Sequence, residues 1–305
     1  MILKVLITGA IEWTKEQKEE IENLGHEVVY IQDERTPLLD QQIDPSSIEA
    51  VICNGLFLYN DIKSMKSLKY IQLTSAGYDR APIEYIKNKD IEIHNARNVY
   101  NIPMAEYVLG CILQKYKLFD SFMENQKQRI WRKNREIKEI YGKYVTIFGC
   151  GNVGSTCAKY LKMLGCEVTG IDPYVKQSID FNWVYDMSSA ETKLKKADII
   201  IVTMPLTNDT YHYFDFKKFD LLKENSIFIN ISRGAVVDTE ALINVLKYKN
   251  INVFLDVFEN EPLDTEDELW KQKNVYVTPH NSFVGENNRN RLQSVIVNNL
   301  KLREN

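Results

Sequence analysis

Residues 149–154 read Gly149-Cys150-Gly151-Asn152-Val153-Gly154, a complete G-x-G-x-x-G motif. The motif directly follows the apolar run Tyr144–Phe148 and opens a helix-like segment that Gly165 ends. The next apolar run, Glu167–Ile171, is followed by Asp172, 18 residues after the third glycine. A strand, a glycine-rich turn, a helix and an acidic residue in this order form a dinucleotide-binding fingerprint. We therefore predict a nucleotide site on this loop.

Each part of the motif has a physical role in that site. The first glycine permits the tight turn, the second lets a pyrophosphate approach the backbone, and the third allows close packing of helix on strand. The helix start at Asn152 and Val153 offers N–H groups and a partial positive charge to the phosphates. Asp172 can accept hydrogen bonds from both ribose hydroxyls and would repel a 2′-phosphate, so we expect NAD(H) to be preferred over NADP(H). The alternative is a tight turn without a ligand and a solvated Asp172.

Composition narrows the class of protein. The chain has 305 residues, 44% hydrophobic and 26% charged, which is ordinary globular composition. Its formal charge of −4 argues against nucleic acid as a partner, and no apolar run approaches the roughly 20 residues of a membrane helix. The N-terminus lacks the features of a signal peptide, and the five cysteines have neither zinc nor redox spacing. We expect a cytoplasmic protein with reduced thiols, no metal site and no membrane partner.

Strand-like and helix-like segments alternate along the chain, which predicts parallel sheets covered by helices on both faces. Residues 102–132 interrupt this alternation with helical spacing only, so two helices there separate two α/β units. Capping boxes at residues 14–17 and 188–191 predict two further helix starts. The strand candidates are residues 4–8, 26–31, 50–53, 70–73, 91–93, 144–148, 167–171, 199–202, 227–231, 253–255 and 275–277.

Three segments after the later strands carry charged or titratable groups. They are residues 230–234, 255–262 and 278–281. Ligands bind at the carboxyl ends of strands in such sheets, so these segments are candidate site loops.

Together with the fingerprint, these segments resemble the D-isomer-specific 2-hydroxyacid dehydrogenase family. Matching motifs cover nearly the whole chain in the family's order and include residues 74–79, 103–106, 204–210, 230–238, 255–262 and 278–280. The resemblance implies an α/β fold of two doubly wound parallel-sheet domains, with a Rossmann NAD-binding domain inserted into a flavodoxin-like substrate domain. By the resemblance, residues 1–97 and 282–305 form the substrate domain and residues 98–281 the NAD-binding domain. The helices at 102–132 would join the domains and make the contact of a homodimer.

The resemblance also assigns roles to residues. The family's catalytic Arg, Glu and His fall on Arg233, Glu261 and His280, where histidine would move the proton, Glu261 would hold the imidazole and Arg233 would bind the substrate carboxylate. Further substrate contacts are implied at Ser75, Ala76, Gly77 and Tyr100. Besides Gly149, Gly151, Asn152, Val153, Gly154 and Asp172, the implied cofactor contacts are Met204, Pro205, Thr210, Ile231, Ser232, Arg233, Asp256 and His280.

The implied activity is NAD-dependent interconversion of a small anionic 2-keto acid and a D-2-hydroxy acid. One alternative is an NAD(H)-sensing binding protein, similar to the family's corepressors, without significant turnover. Another is a dehydrogenase of a different small anion such as a phosphonate.

Individual residues also have plainer interpretations. Arg233 could pair with Asp238, and Glu261 could belong to a solvated acidic loop. Cys150 could be a redox-sensitive thiol or only a small filler. Trp131 could line the pocket, lie in the core or make a dimer contact. Residues 281–283, Asn-Ser-Phe, depart from the family's pattern of small residues and leave the substrate open.

Overall fold

The computed structural model describes residues 2–301 and places the strands in two parallel sheets, one in each of two units. The first unit comprises the chain up to Tyr100 and from Gly285 onward, and the second comprises Asn101–Val284. The described strands are β1 Lys4–Thr8, β2 Glu27–Ile31, β3 Ala50–Cys53, β4 Tyr70–Leu73, β5 Glu92–His94, β6 Tyr144–Phe148, β7 Glu167–Ile171, β8 Trp183–Tyr185, β9 Ile199–Val202, β10 Ile227–Asn230, β11 Asn252–Leu255 and β12 Val275–Val277. The helices are α1 Lys15–Glu22, α2 Ile83–Asn88, α3 Asn101–Tyr116, α4 Phe119–Lys127, α5 Asn152–Met163, α6 Ala190–Leu194, α7 Phe216–Asp220, α8 Thr239–Leu246 and α9 Asn288–Lys301.

The five-stranded sheet of the first unit has the order β2-β1-β3-β4-β5. This is the order of flavodoxin-like sheets. Helix α1 begins at the capping box predicted from the sequence, where Gln17 N donates to Thr14 Oγ1 at 3.2 Å and Thr14 N donates to Gln17 Oε1 at 3.1 Å. Helix α9 returns to this unit and buries Leu292, Ile296 and Leu300 against the apolar residues of β1 and β3.

The second sheet has seven strands in the order β12-β11-β10-β9-β6-β7-β8. The order reverses between β6 and β9, and such a reversal opens a crevice at the carboxyl ends of the strands. The central strands are buried on both faces, which is why β9 and β10 read as continuous apolar runs rather than as alternating ones. The predicted α/β class with two parallel-sheet units is confirmed.

The structure differs from the sequence predictions in three places: one strand that was not predicted, one capping box that does not form, and one of the three interpretations of Trp131. Strand β8 was not predicted, because it is a three-residue edge strand whose first side chain, Trp183, is half exposed. The second capping box does not form: Asp186 caps this segment instead by accepting from Ser188 N at 3.0 Å, and Ser189 makes no side-chain capping bond. Trp131 is fully exposed and does not belong to the core. No helix within residues 2–301 has both the length and the apolar character needed to cross a membrane.

Candidate active site

The glycine loop begins where β6 ends, at the crevice of the second sheet. Gly149 has φ +95°, and a Cβ there would lie 2.7 Å from the backbone N of Met204. A Cβ on Gly154 would lie 2.0 Å from the carbonyl O of Gly149, so both positions need glycine. A Cβ on Gly151 would meet nothing within 4 Å, and this residue precedes α5 without a side-chain capping bond. An open backbone at a helix start fits a pyrophosphate, so the loop fits the dinucleotide.

Asp172 is anchored by the backbone around it. Its Oδ2 accepts from Cys150 N at 2.8 Å, and its Oδ1 accepts from Tyr174 N at 2.8 Å and from Val175 N at 2.9 Å. A carboxylate has about four acceptor positions, so one remains for a ribose hydroxyl, where the sequence predicted contacts to both hydroxyls. The three bonds hold the carboxylate at the end of β7, directly beside the glycine loop.

The side chain of Cys150 packs in the core and is not a reactive thiol. Its side chain is buried, and burial together with the charge of Asp172 raises the pKa of the thiol to about 12. Position at a helix start would lower the pKa, but here burial outweighs that effect.

His280 and Glu261 form a direct pair. His280 Nδ1 donates to Glu261 Oε2 at 2.7 Å, and Glu261 Oε1 accepts from Phe258 N at 3.0 Å. The carboxylate is therefore held by its own loop on one oxygen and binds the imidazole with the other. Because Nδ1 faces a carboxylate, Nε2 is the ring nitrogen available to exchange a proton.

Asp256 fixes the loop that carries His280. Its carboxylate is fully buried and accepts from Thr278 Oγ1 at 2.6 Å, from Asn281 N at 2.8 Å and from Ser282 N at 2.9 Å. Its carbonyl accepts from His280 N at 2.7 Å. These bonds lie on both sides of His280, whose φ of +51° is in the left-handed region. Sequence reasoning considered Asp256 only as a cofactor contact and missed this structural role.

Arg233 follows β10 on a loop that Asn230 organises. Asn230 Oδ1 accepts from the N and Oγ of Ser232 at 3.0 and 2.9 Å, and Asn230 Nδ2 donates to Arg233 O at 3.0 Å. The guanidinium donates to Ser232 O at 2.7 Å. Asp238 caps α8 by accepting from Ala241 N at 2.9 Å.

Gly234 brings the Arg233 loop against the loop that carries Glu261. A Cβ on Gly234 would lie 1.8 Å from the carbonyl C of Phe258 and 2.2 Å from Glu259 N. Only glycine permits this approach, so the second unit places the loops of Arg233, Glu261 and His280 at one edge of its sheet.

The remaining predicted cofactor residues lie on the loops after β9 and β10. Met204 is buried and its backbone contacts the glycine loop, whereas Pro205 is exposed. Thr210 Oγ1 accepts from Thr207 N and donates to Pro205 O, both at 2.7 Å, which closes the turn. Ile231 and Ser232 are buried.

The predicted substrate residues Ser75, Ala76, Gly77 and Tyr100 belong to the first unit, whereas the trio belongs to the second. Their loop follows β4 and is held by Ser75 Oγ, which donates to Gly77 O at 2.9 Å, and by the Tyr100 hydroxyl, which donates to Thr74 O. Burial raises the pKa of Tyr100 to about 12, so this hydroxyl stays protonated. Within residues 2–301, the N–H groups of residues 75–77 donate to no acceptor.

Glu34 is another carboxylate held by three hydrogen bonds, and sequence reasoning did not single it out. It follows β2 and accepts from Thr8 Oγ1 at 2.8 Å, from Asn54 N at 3.0 Å and from Gly55 N at 2.6 Å. Its position after a strand was the available signal, but the amides that it binds are set by the fold.

Comparisons with known proteins identify the family of the chain. The family model described as D-isomer specific 2-hydroxyacid dehydrogenase, NAD binding domain, matches residues 109–282. The chain belongs to the D-isomer specific 2-hydroxyacid dehydrogenase family. It is 32% identical over 251 residues to a glyoxylate reductase of Thermococcus litoralis, covering 78% of this chain and 75% of that protein. It is 28% identical over 304 residues to a D-3-phosphoglycerate dehydrogenase of Methanocaldococcus jannaschii, covering 98% of this chain but 57% of that longer protein.

The fold is shared with solved members of the family. A D-isomer specific 2-hydroxyacid dehydrogenase family protein from Aeromonas salmonicida matches with a TM-score of 0.81 at 24% identity, covering 100% of this chain and 96% of that one. The predicted family and the predicted enzyme class, an NAD-binding oxidoreductase, are confirmed.

Proposed function

We propose that the chain interconverts a small 2-keto acid and a D-2-hydroxy acid with NAD(H). The hydrogen bond of 2.7 Å between His280 Nδ1 and Glu261 Oε2 carries this proposal. An imidazole that is oriented by a carboxylate and has its second nitrogen available is suited to exchange a proton near neutral pH.

The proposed roles follow from the chemistry of a keto acid. The nicotinamide, when bound, supplies or takes the hydride at C2. His280 Nε2 gives a proton to the C2 oxygen during reduction and takes it back during oxidation, while Glu261 keeps the ring in place. Arg233 binds the substrate carboxylate, for which a guanidinium offers a two-point contact.

Support for the other substrate contacts comes from the first unit. The N–H groups of Ser75, Ala76 and Gly77 have no acceptor among the described residues, so they can donate to an anion. The bond from Tyr100 to Thr74 steadies that loop. We therefore propose that these four residues bind the substrate, that the first unit is the substrate domain and that the second unit is the NAD-binding domain.

We also propose that NAD(H) is preferred over NADP(H), because the anchored carboxylate of Asp172 lies beside the glycine loop and would repel a 2′-phosphate. A homodimer through α3 and α4 is supported by α4, which buries no residue and exposes Phe119 and Met123. The cytoplasm is the proposed location, consistent with five free thiols.

The proposal is tested by NADH oxidation at 340 nm with glyoxylate, hydroxypyruvate, pyruvate and 3-phosphohydroxypyruvate, with NADPH in parallel. We expect turnover with at least one keto acid, faster with NADH. His280→Gln should lower turnover at least ~100-fold while NADH affinity, measured by fluorescence titration, stays nearly unchanged. Tight NADH binding without turnover on any keto acid would instead support an NAD(H)-sensing protein.

A further inference from the structure

A cavity of about 380 Å³, open to solvent on one side and lined partly by exposed residues, lies in the second unit, away from the glycine loop. Its lining includes two lysines and four asparagines: Lys115, Lys138, Asn225, Asn250, Asn252 and Asn274. The asparagines lie just before or at the starts of β10, β11 and β12, whereas the glycine loop follows the end of β6. Because the sheet is parallel, the cavity is at the opposite edge of the sheet from the proposed active site. Its volume falls in the range of small-molecule sites.

Three of the asparagines form an ordered chain of side-chain amides. Asn274 Nδ2 donates to Asn250 Oδ1, and Asn250 Nδ2 donates to Asn225 Oδ1, both at 2.7 Å. Asn225 is further fixed because its backbone N donates to Asn250 O at 2.7 Å. The chain leaves donors on Asn225 Nδ2 at one end and an acceptor on Asn274 Oδ1 at the other. Such a pair of ends can bind ligand hydroxyls, which both donate and accept.

The ammonium groups of the two lysines favour the binding of an anion in the cavity. Lys115 lies at the end of α3, partly buried, with its Nζ 3.4 Å from the Tyr276 hydroxyl. Burial lowers the pKa of Lys115, and repulsion by Lys138 lowers it further, although Asp120 acts in the opposite direction. Glu136 is the acidic residue in the lining. Two neighbouring ammonium groups are stabilised when an anion binds between them.

We propose that this cavity binds a small hydroxylated anion, with its phosphate or carboxylate group between Lys115 and Lys138 and its hydroxyls on the asparagine chain. The ligand is therefore a second small molecule, distinct from the substrate and the dinucleotide. This inference does not depend on the proposed activity.

Binding is tested by titration calorimetry on the full chain saturated with NADH, so that the dinucleotide site is filled. Glycerol 3-phosphate carries both features of the ligand, and inorganic phosphate and glycerol each carry one; citrate tests a carboxylate source. We expect glycerol 3-phosphate to bind more tightly than phosphate and glycerol not to bind. Lys115→Met and Lys138→Met should each weaken glycerol 3-phosphate about tenfold, since each removes a charge-assisted contact.

Matched variants separate this site from others. Lys196→Met removes an exposed lysine elsewhere in the same unit and should leave binding unchanged. Asn225→Ala should weaken glycerol 3-phosphate but not phosphate. If Lys115→Met does not fold, Lys138→Met still tests the proposal, because Lys138 is exposed.

Three results overturn the proposal. The first is equal affinity in the wild type and both Lys→Met variants. The second is loss of binding only in Arg233→Lys, which would place the anion in the substrate site. The third is no anion binding to the wild type; a change of oligomeric state in Lys138→Met on size-exclusion chromatography would then make this face an interface between copies.

Discussion

Gly234→Ala should push apart the loop that carries Arg233 and the loop that carries Glu261, by a distance that the structure allows us to work out. The added Cβ would lie 1.8 Å from the carbonyl C of Phe258, whereas ordinary contact begins near 3.4 Å. The loops that carry Arg233 and Glu261 must therefore move apart by about 1.6 Å, or the backbone must deform. Displacement of about 1 Å in a reacting geometry costs about 100-fold in rate. Overpacking of this kind also costs about 1–3 kcal/mol of stability.

We expect kcat/KM for the best keto acid to fall at least ~100-fold in Gly234→Ala, and the urea midpoint to fall with an unchanged m value. Gly110→Ala is the matched control. It lies in α3, and its Cβ would meet nothing within 4 Å. It should keep full activity and gain about 0.5–1 kcal/mol from helix propensity. Wild-type rate and stability in Gly234→Ala would refute the packing argument.

Four other measurements test the structure. Burial raises the pKa of every cysteine thiol, and Cys166 is the least shifted, at about 11. The native thiols should therefore react with Ellman's reagent at pH 8 at least ~100-fold more slowly than in urea, and Cys166 should react first as the pH rises. Equal rates in the native and the urea-unfolded protein would contradict the burial of the thiols. Asp172→Ser should raise the KM for NADH about tenfold, because a ribose contact is lost, and lower the KM for NADPH, because the repulsion of the 2′-phosphate is lost. A parallel rise in both KM values would remove Asp172 as the selector. Phe283→Ala removes a ring that meets His280 edge-on at 5.8 Å, so kcat/KM should change roughly tenfold between short and long keto acids; an unchanged ranking would exclude Phe283 from the pocket. Asp256→Asn turns one buried acceptor into a donor facing Ser282 N and should cost about 1–3 kcal/mol in urea unfolding; a stability equal to that of the wild type would contradict the hydrogen bonding.

Much of the fold was predictable because its signals are local. The glycine loop after β6 needs glycine at positions 149 and 154 for steric reasons, and those needs are visible in the residue types. The buried parallel strands read as apolar runs because both faces of the sheet are covered. Strand β8 was not predicted because a strand of three residues at a sheet edge is too short to show a periodic pattern.

The interactions that fix the candidate site were less predictable from the sequence. The loop of His280 is held by Asp256, whose partners are mainly backbone amides and a hydroxyl more than 20 residues away in the chain. Nothing in the residue types around Asp256 shows which amides the fold brings to it. The same is true of Glu34, whose three donors come from the end of β1 and from the loop after β3. The capping box predicted at residues 188–191 does not form because Asp186, two residues earlier, accepts from Ser188 N and caps the segment.

The return of α9 to the first unit leaves that unit incomplete until late in synthesis. Leu292, Ile296 and Leu300 complete the apolar layer over β1 and β3, and Gln293 donates to the backbone of α1 through Gln17 O at 3.1 Å. The ribosome finishes residues 2–100 long before it reaches α9. At about 5–20 residues per second, roughly 200 further residues take about 10–40 s. Throughout that interval one face of the nascent N-terminal sheet lacks the part of its cover that α9 supplies, so chaperone occupancy should be highest on chains that stop short of residue 288.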